Sequence, residues 1–433
     1  MSLKRALVCA CGTHGDVEPA LALAIGLQSA GFEVLFASSS RFEAFANNAG
    51  VAFFPMSDAS LATLETPDGK AVLESGSGPF RRIAAGIRLA RLSGPINDAL
   101  MHETWTAAAD FSPDIIVFNA KLFAAPHVAE KLKIPAFLAA LQPMIVPTNA
   151  FPAMGLPELP LPGYNRLTYA LAGKSIGVFR SRTNRFRQNV LGLPPVRSGS
   201  AVLFPPDGGT AGVLHAYSPA VLQRPPDWPE SAHVTGYWRL DKSRDYSPPQ
   251  ELAAFLDRGP PPVFVGFGSM PSADPKALAK VVIKALRKAG QRGVIAKGWA
   301  GLEIEGDEDI IVIPPVPYDW LFPRLAAVVH HGGAGTTAEG FHAGVPCLIC
   351  PFFGDQRGWA KLSVTLGVGA APLPRRRLTE DRLAAGITEA VSNTRLRENA
   401  TTLATHLRRE NGVKTAVEVI TQTLYGWQPG QPD

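Results

Sequence analysis

Short apolar runs of strand length alternate along the chain with longer segments in which apolar residues recur at helical spacing. In the first half, this pattern predicts strands over 5–11, 32–37, 51–54, 113–118 and 135–140, and helices over 18–30, 41–49 and 121–132. In the second half, it predicts strands over 263–267, 293–297, 310–313, 326–330 and 346–351, and helices over 274–289, 335–343, 357–366, 378–391 and 396–425. Alternation of this kind is typical of parallel sheets wound with helices. We therefore expect an α/β fold made of two doubly wound domains.

Two stretches, 57–100 and 141–200, interrupt the pattern and are predicted to be irregular insertions that carry binding specificity. A proline-rich segment from Leu240 to Pro262 has the composition of a linker. We expect an N-terminal domain over 1–240 and a C-terminal domain over 241–433, with the last helix packing back on the first domain. Ligands of such sheets bind at the carboxyl ends of the strands, so the loops after the predicted strands should line a cleft between the domains.

Hydrophobic residues make up 46% of the chain and charged residues 18%, an apolar balance that would suit a site for an apolar ligand. No stretch reaches the roughly 18 apolar residues that span a bilayer, and the short apolar run near the N-terminus ends in a glycine turn, unlike a signal peptide. A cytoplasmic location is expected. The four cysteines lie in strand-like runs, which indicates buried thiols rather than a zinc or redox site. They are Cys9, Cys11, Cys347 and Cys350.

The formal net charge is +5, and arginines cluster in two segments that also carry apolar residues at helical spacing. The clusters are Arg81, Arg82, Arg88 and Arg91, and Arg180, Arg182, Arg185 and Arg187. Each predicts either a solvated helix face or a basic amphipathic face in peripheral contact with an anionic membrane. In the second segment the apolar residues are Ile176, Phe179 and Phe186. Aromatic residues are not interleaved with the arginines as stacking platforms, which disfavours nucleic acid as a partner.

The segment from Val328 to Glu339 has the sequence V-V-H-H-G-G-A-G-T-T-A-E. An apolar strand that passes through glycines into a helix brings free backbone N–H groups and the positive end of the helix dipole to one point. His331 lies at the end of the strand and can donate a hydrogen bond or a positive charge to the same place. We predict a phosphate site at this loop.

The sequence G-A-G-T-T-A over 333–338 also fits a dinucleotide fingerprint, with Asp355 about where a ribose-binding acid belongs. The loop could therefore bind a dinucleotide instead of another phosphate compound, and an NAD(P)-dependent oxidoreductase is one of the functions that the sequence allows. Such a fingerprint normally opens the first unit of its domain, whereas strands of the same domain precede it here. Gln356 follows Asp355 directly, and this pair of donors and acceptors suits a row of sugar hydroxyls better than a single diol.

The turn after the first predicted strand has the sequence G-T-H-G-D-V-E-P over 12–19. His14 and Asp16 are proton acceptors in a loop that should face the phosphate site. Transfer of a sugar to an alcohol needs such a base, because an alcohol is a poor nucleophile until its proton is taken. A helix-capping role is the structural alternative for Asp16.

This turn and the segment from Pro314 to Gln356 resemble the UDP-dependent glycosyltransferases of family 1, which have the GT-B fold of two doubly wound, Rossmann-like domains facing a central cleft. The most similar branch is that of sterol glucosyltransferases and of glycopeptide and rhamnolipid glycosyltransferases. The resemblance implies an inverting transfer that uses no metal or other cofactor. A sugar, glucose above all, would pass from a UDP-sugar to a hydroxyl of an apolar small molecule such as a sterol, a polyphenol or a lipid.

The resemblance also implies that the domain over 1–240 binds the acceptor and that the domain over 241–433 binds the UDP-sugar donor, and it assigns residues to the donor. His331, Gly335 and Thr336 would hold the diphosphate, Glu339 the ribose, and Asp355 with Gln356 the sugar hydroxyls. The full donor-binding set is Gly15, Gly268, Ser269, Trp299, Val316, His331, Gly333, Gly335, Thr336, Glu339, Asp355 and Gln356. Val316 and its neighbouring prolines stand where the plant branch stacks uracil on a tryptophan.

In this family the base commonly takes the second place of a Gly-base-x-x-Pro pattern, which is Asp16 here. The usual occupant is His, and Asp is found in the branch that this chain resembles. Where members with His carry an acid that orients the imidazole, this chain has Asn119, and a carboxylate base needs no such partner. Asp16 is therefore favoured as the base. His14, with its ring held by Asp16, is the alternative.

Asp307-Glu308-Asp309 has the D-x-D form of a metal site in other glycosyltransferases, but its place in a charged loop before a strand predicts a solvated turn. Apolar residues of the insertions and their surroundings suggest an acceptor cavity. They are Phe53, Phe54, Phe80, Phe111, Phe123, Met144, Phe151 and Met154.

Overall fold

The computed structural model describes residues 3–59, 62, 79–205, 210–268, 275–297 and 306–427, without the side chains of 79–92, 175 and 275. The first half forms one parallel sheet of seven strands in the order β3-β2-β1-β4-β5-β6-β7. The strands are β1 Arg5–Ala10, β2 Glu33–Ser39, β3 Ala52–Met56, β4 Ile115–Asn119, β5 Ala136–Ala140, β6 Gly212–His215 and β7 Ala232–Val234. The central strands are apolar along their length because both faces of the sheet are covered by helices.

The helices of the first half are α1 His14–Ser29, α2 Glu43–Asn48, α3 Pro79–Phe111, α4 Ala125–Leu132, α5 Tyr164–Ile176 and α6 Arg180–Phe186. The prediction of irregular insertions is therefore wrong where α3, α5 and α6 lie. Gly94 and Pro95 are residues that usually interrupt a helix, yet α3 continues through Pro95. Tertiary packing of the rest of the helix outweighs the hydrogen bond that a proline removes.

The second half forms a parallel sheet of five strands in the order β10-β9-β8-β11-β12. Its strands are β8 Val263–Gly266, β9 Gly293–Ala296, β10 Ile310–Ile313, β11 Ala327–His330 and β12 Cys347–Ile349. Its helices are α7 Gln250–Asp257, α8 Pro275–Lys288, α9 Tyr318–Leu321, α10 Ala334–Ala343, α11 Gln356–Thr365, α12 Glu380–Ser392, α13 Thr394–Leu407 and α14 Gly412–Gly426. Two parallel α/β sheets confirm the predicted fold class.

The predicted linker is not entirely irregular. It contains α7, whose Leu252 and Phe255 are buried against the second sheet. The predicted helix over 396–425 is two helices, α13 and α14, because the side chain of Asn411 caps the second one by accepting the Lys414 N–H at 2.9 Å. Helix α14 packs on α1 and contributes Ala416 to the core of the first sheet. Within the described part of the chain, no helix is both long and apolar enough to cross a membrane.

Candidate active site

The glycine loop joins β11 to the N-terminus of α10. Gly333 is the N-cap of that helix, so the free N–H groups of its first turn point out of the loop. Gly332 has a φ of +90°, and a Cβ there would lie 2.6 Å from Cγ2 of Ile349, so only glycine fits. Gly335 is exposed, Thr336 is half-buried, and a Cβ at Gly335 would meet no atom within 4 Å. The loop thus has the geometry of an anion site at a helix N-terminus.

His331 lies between two glycines at the start of this loop. A Cβ on Gly333 would come within 2.5 Å of its Nε2, and one on Gly268 within 3.3 Å of its Cε1. Burial lowers the pKa of His331 to about 4, so the free protein holds this imidazole neutral at pH 7. Its Nδ1 is buried and has no hydrogen-bond partner among the described residues. His331 was predicted to offer an anion either a hydrogen bond or a positive charge. The neutral ring supports the hydrogen bond.

Asp355 and Gln356 begin α11 but their side chains differ in availability. Nε1 of Trp359 donates to Oδ2 of Asp355 at 3.0 Å, and burial raises the pKa of the Asp355 carboxyl. Oε1 of Gln356 accepts the N–H groups of Phe352 and Phe353 at 2.7 and 3.2 Å. Gln356 is buried and its oxygen holds the preceding loop, whereas Asp355 reaches the first domain and hydrogen-bonds Gln142.

Glu339, the predicted ribose acid, is engaged by an arginine that no sequence motif indicated. Nε and Nη2 of Arg239 donate to its two carboxylate oxygens at 2.8 and 2.7 Å. Arg239 precedes the interdomain segment, so this bidentate pair joins the end of the first domain to α10. Val316 is buried, while Ser269 and Trp299 lie outside the described residues.

Helix α1 begins at His14, earlier than predicted, and includes Pro19. Thr13 is its N-cap, and the Thr13 N–H donates to Oδ2 of Asp16 at 2.8 Å in a capping box. The hydroxyl of Thr13 and Nζ of Lys121 donate to the same oxygen at 3.0 and 2.7 Å. Oδ1 of Asp16 accepts no hydrogen bond from any described residue. The carboxylate is therefore fixed through one oxygen and leaves the other available.

The backbone around Asp16 is shaped to this arrangement. Gly12 has a φ of +133°, and a Cβ there would lie 2.3 Å from Oδ2 of Asp16. The space beside Gly15 is open, because a Cβ on that residue would lie 3.9 Å from its nearest neighbour, Oγ1 of Thr13. Asn119 donates to the Cys11 carbonyl at 2.7 Å and so holds the end of β1 rather than a histidine ring.

His14 is not held by Asp16, as the alternative base required, but by Glu18 one turn further along α1. Its Nδ1 lies 3.0 Å from Oε2 of Glu18, and its ring packs on Phe45. The other oxygen of Glu18 lies 2.5 Å from Nζ of Lys242 in the interdomain segment. These two partners outweigh burial and hold the pKa of Glu18 below its usual range. Sequence reasoning missed Glu18, although its i,i+4 spacing from His14 was visible.

The two domains meet at these residues. Burial is the main cause of the raised pKa of Asp355, and the negative charge of Asp16 in the first domain adds to it. Further along, a Cβ on Gly155 would lie 2.3 Å from the Gly354 carbonyl, and Glu158 forms an ion pair with Lys361 of α11. The loop after β5 and the start of α11 thus form one wall between the domains.

The predicted acceptor residues divide between core and cleft. Phe53 packs in the core on Phe36, and Phe123 stacks on Phe179 with ring centroids 4.7 Å apart. Met154 packs against Gly358 of α11, next to the cleft. Phe54, Phe111, Met144 and Phe151 are half-buried, and the side chain of Phe80 lies outside the described residues.

Other predicted features have structural partners. Oδ1 of Asp307 caps the following turn and Oδ2 pairs with Arg287 at 2.6 Å, as in a solvated turn. The four cysteines are free and buried, which confirms the predicted burial of their thiols. The second arginine segment is not a uniform basic face, because Arg187 is buried in a bidentate pair with Glu130 and Arg182 pairs with Asp98. Phe186, placed on that face, is buried too. The first segment lies outside the described side chains.

Comparisons with known proteins agree with this geometry. Residues 6–150 match the model of the glycosyltransferase family 28 N-terminal domain. Residues 307–421 match the model of the erythromycin biosynthesis protein CIII-like C-terminal domain. The glycosyltransferase of kitacinnamycin, a solved structure, aligns with a TM-score of 0.71 at 18% identity over 97% of this chain and 99% of its own. That similarity confirms the GT-B fold.

Two plant proteins are similar over most of the chain. Sterol 3-beta-glucosyltransferase UGT80A2 of Arabidopsis thaliana is 34% identical over 421 residues, which are 95% of this chain and 64% of that protein. UGT80B1 of the same plant, also a sterol 3-beta-glucosyltransferase, is 33% identical over 95% of this chain and 67% of its own length. The chain therefore spans about two thirds of these relatives.

Proposed function

Because the chain belongs to the glycosyltransferase family that includes the sterol 3-beta-glucosyltransferases, we propose that it transfers glucose from UDP-glucose to a hydroxyl of an apolar acceptor of the sterol class. The observation that carries the proposal is the carboxylate of Asp16 just after β1, which is oriented through one oxygen and whose charge is felt by Asp355 of the opposite domain. The oxidoreductase alternative has no support from these relatives, and the glycine loop follows the fourth strand of its sheet in chain order rather than the first.

The proposed reaction is one displacement with inversion at the anomeric carbon. The acceptor oxygen forms the new bond to that carbon while its proton passes to Oδ1 of Asp16, and the bond from the carbon to the UDP oxygen breaks. The leaving diphosphate gains charge at the N-terminus of α10, where backbone N–H groups and the neutral His331 can donate hydrogen bonds. The base and the leaving-group site then lie on opposite faces of the sugar. No metal ion is needed for this charge stabilisation.

Donor recognition follows from the same residues. Asp355 would accept hydrogen bonds from sugar hydroxyls, and Gln356 would act mainly by holding the loop over Phe352 and Phe353. Glu339 would bind the ribose while Arg239 fixes its orientation. Val316 would supply an apolar contact to uracil. The acceptor would approach past Met154, and a cytoplasmic, membrane-peripheral placement fits an acceptor that dissolves in lipid.

The test is a transfer assay with the purified chain, UDP-glucose and EDTA. A panel of a sterol, a polyphenol, a long-chain alcohol and a polar sugar as acceptors should release UDP with the apolar members and give a product of inverted anomeric configuration by NMR. Product only on the polar sugar would remove the acceptor proposal. Retained configuration, or hydride transfer from NAD(P)H without UDP binding, would remove the reaction itself. Loss of activity in EDTA would contradict metal independence.

A further inference from the structure

Exposed apolar side chains are concentrated in one segment that no feature of the active site explains. Six of the nine large hydrophobic residues that are exposed in the described chain lie between positions 156 and 178, with 44% to 70% of their surface exposed. We call this set the leucine ridge. It consists of Leu156, Leu159, Leu161, Leu167, Leu171 and Val178. A cluster of this kind on a surface is typical of an interaction site rather than of ordinary scattered exposure.

Helix α5 carries two residues of the ridge, Leu167 and Leu171, one turn apart on one side. Lys174 continues that face, Val178 lies in the 3-10 turn that follows the helix, and the other three leucines precede it. On the opposite side Thr168 and Tyr169 are buried. The Thr168 hydroxyl accepts the Ala153 N–H at 2.8 Å, which ties α5 to the loop beside the cleft. The helical part of the ridge is thus the outer face of α5, whose inner face is anchored to the protein.

Unpaired positive charge lies in the same segment as the ridge. Residues 156–187 contain six lysines and arginines and one glutamate, and three of the six pair with acids outside the segment. Lys174, Arg180 and Arg185 form no ion pair with any residue that the structure describes. The single acid, Glu158, is neutralised by Lys361. Exposed leucines beside unpaired cations complement the interface of an anionic bilayer, which combines an apolar interior with negative head groups.

We propose that the leucine ridge docks this enzyme on an anionic membrane surface. The ridge begins one residue after Gly155, which packs on the Gly354 carbonyl at the cleft. Behind it, Phe179 stacks on Phe123. A ridge that lies in the head-group layer therefore holds the acceptor side of the cleft at the membrane. An apolar acceptor would then enter from lipid without crossing water. This surface shares Arg180 and Arg185 with the second arginine segment predicted from the sequence, but its apolar residues differ, because Phe186 of that predicted face is buried.

The test measures binding of the full chain to vesicles, without UDP-glucose, so that it does not depend on the proposed reaction. The wild-type chain should sediment with vesicles of phosphatidylcholine and phosphatidylglycerol. Much less of the chain should sediment with vesicles of phosphatidylcholine alone. The variant Leu167→Ser/Leu171→Ser should bind the anionic vesicles at least about tenfold more weakly. Lys174→Gln/Arg185→Gln should lose roughly fivefold in vesicle binding for each charge removed, and the loss should shrink as the salt concentration rises.

The matched control is Leu3→Ser/Tyr425→Ser, which removes two side chains that are 65% and 74% exposed outside the ridge and should leave vesicle binding within about twofold. Melting temperatures should match in all variants, and Leu161→Ser/Val178→Ser replaces the first variant if it fails to fold. Equal vesicle binding by wild type and ridge variants would overturn the proposal. The proposal would also be overturned if the wild-type chain did not bind anionic vesicles and instead formed dimers through the ridge in sedimentation velocity.

The consequence for catalysis is measured separately. The ridge variant should keep wild-type turnover on an acceptor dispersed in detergent and lose activity on the same acceptor embedded in anionic vesicles. If the chain transfers no sugar at all, the vesicle-binding result still stands. If it transfers sugar equally well from both acceptor forms in the ridge variant, membrane docking has no role in acceptor delivery and that part of the proposal is wrong.

Discussion

Asp16 combines a structural and a chemical task in a single carboxylate. Oδ2 accepts from Thr13 and Lys121, and Oδ1 stays available to a substrate. Asp16→Asn keeps the shape but removes the proton acceptor, so we expect kcat to fall by roughly 10² to 10⁴ while the Kd for UDP-glucose is unchanged. Steady-state kinetics with calorimetric titration of the donor measure both quantities.

Two variants separate the chemical task of Asp16 from its neighbours. Thr13→Ala removes the cap, costs about 1 kcal/mol of stability, and should keep kcat within about tenfold of wild type. His14→Ala tests the alternative base, whose partner in the structure is Glu18. Full activity in Asp16→Asn together with abolished turnover in His14→Ala would transfer the assignment to His14 and give Glu18 the role of orienting its ring.

At the scale of elements, the junction of β11 with α10 depends on a glycine that makes room for His331. Ala at position 333 suits the backbone, whose φ is −62°, but its Cβ would lie 2.5 Å from Nε2 of the ring. The ring must then move away from the helix N-terminus. We expect Gly333→Ala to weaken UDP-glucose binding at least about tenfold, equivalent to roughly 1.4 kcal/mol, in a calorimetric titration.

Alanine variants of two other helical glycines serve as controls for Gly333→Ala. A Cβ on Gly173 in α5 would meet no atom within 4 Å, so Gly173→Ala should keep donor affinity and gain up to about 1 kcal/mol of stability. Gly335→Ala also meets no protein atom. A loss of affinity in that variant with unchanged melting would therefore report contact with the donor itself. Wild-type affinity in Gly333→Ala would show that the position of His331 does not matter for the diphosphate.

The molecule as a whole keeps several histidines neutral in both domains. Burial lowers the pKa of each of them below the usual 6.5, to about 4 for His215 and His331 and about 3 for His330 and His342. The unfolded chain therefore takes up protons first as the pH falls below 6.5. The free energy of unfolding should be highest above that pH and decrease toward pH 4. We expect denaturant titrations to give at least about 2 kcal/mol less at pH 5.5 than at pH 7.5.

The carboxyls of Asp355 and Glu410 affect the free energy of unfolding in the opposite sense, because their raised pKa values favour proton uptake by the folded chain. These two carboxyls oppose the four histidines named above, so the decrease in stability at low pH should prevail. His342 provides the matched variant, since both of its ring nitrogens are buried without a partner among the described residues and its ring packs on Tyr237. His342→Phe should flatten the dependence on pH. Equal unfolding free energies at the two pH values in wild type would contradict the assignment of neutral buried histidines.

The alternation of strands and helices, the fold class and the family were determined by the sequence alone, although strands β6 and β7 were not predicted. Local periodicity decides whether a segment is strand or helix, and the turn over 12–19 and the glycine loop after β11 are short motifs whose backbone chemistry is local. The sequence failed at α3, α5 and α6, where proline and glycine suggested irregular chain. Helices there are stabilised by packing against distant elements, which a local pattern does not contain.

The partners of the site residues were decided by the tertiary structure. Lys121 reaches Asp16, Arg239 reaches Glu339 and Lys242 reaches Glu18 across about 100 residues or more of sequence. Such long-range pairs depend on how the sheets twist and how the domains face each other, so no spacing predicts them. The same holds for the pKa of His331, which burial sets, and for the leucine ridge. Leucine in a sequence predicts burial, and only the packing of Thr168 and Tyr169 turns Leu167 and Leu171 toward solvent.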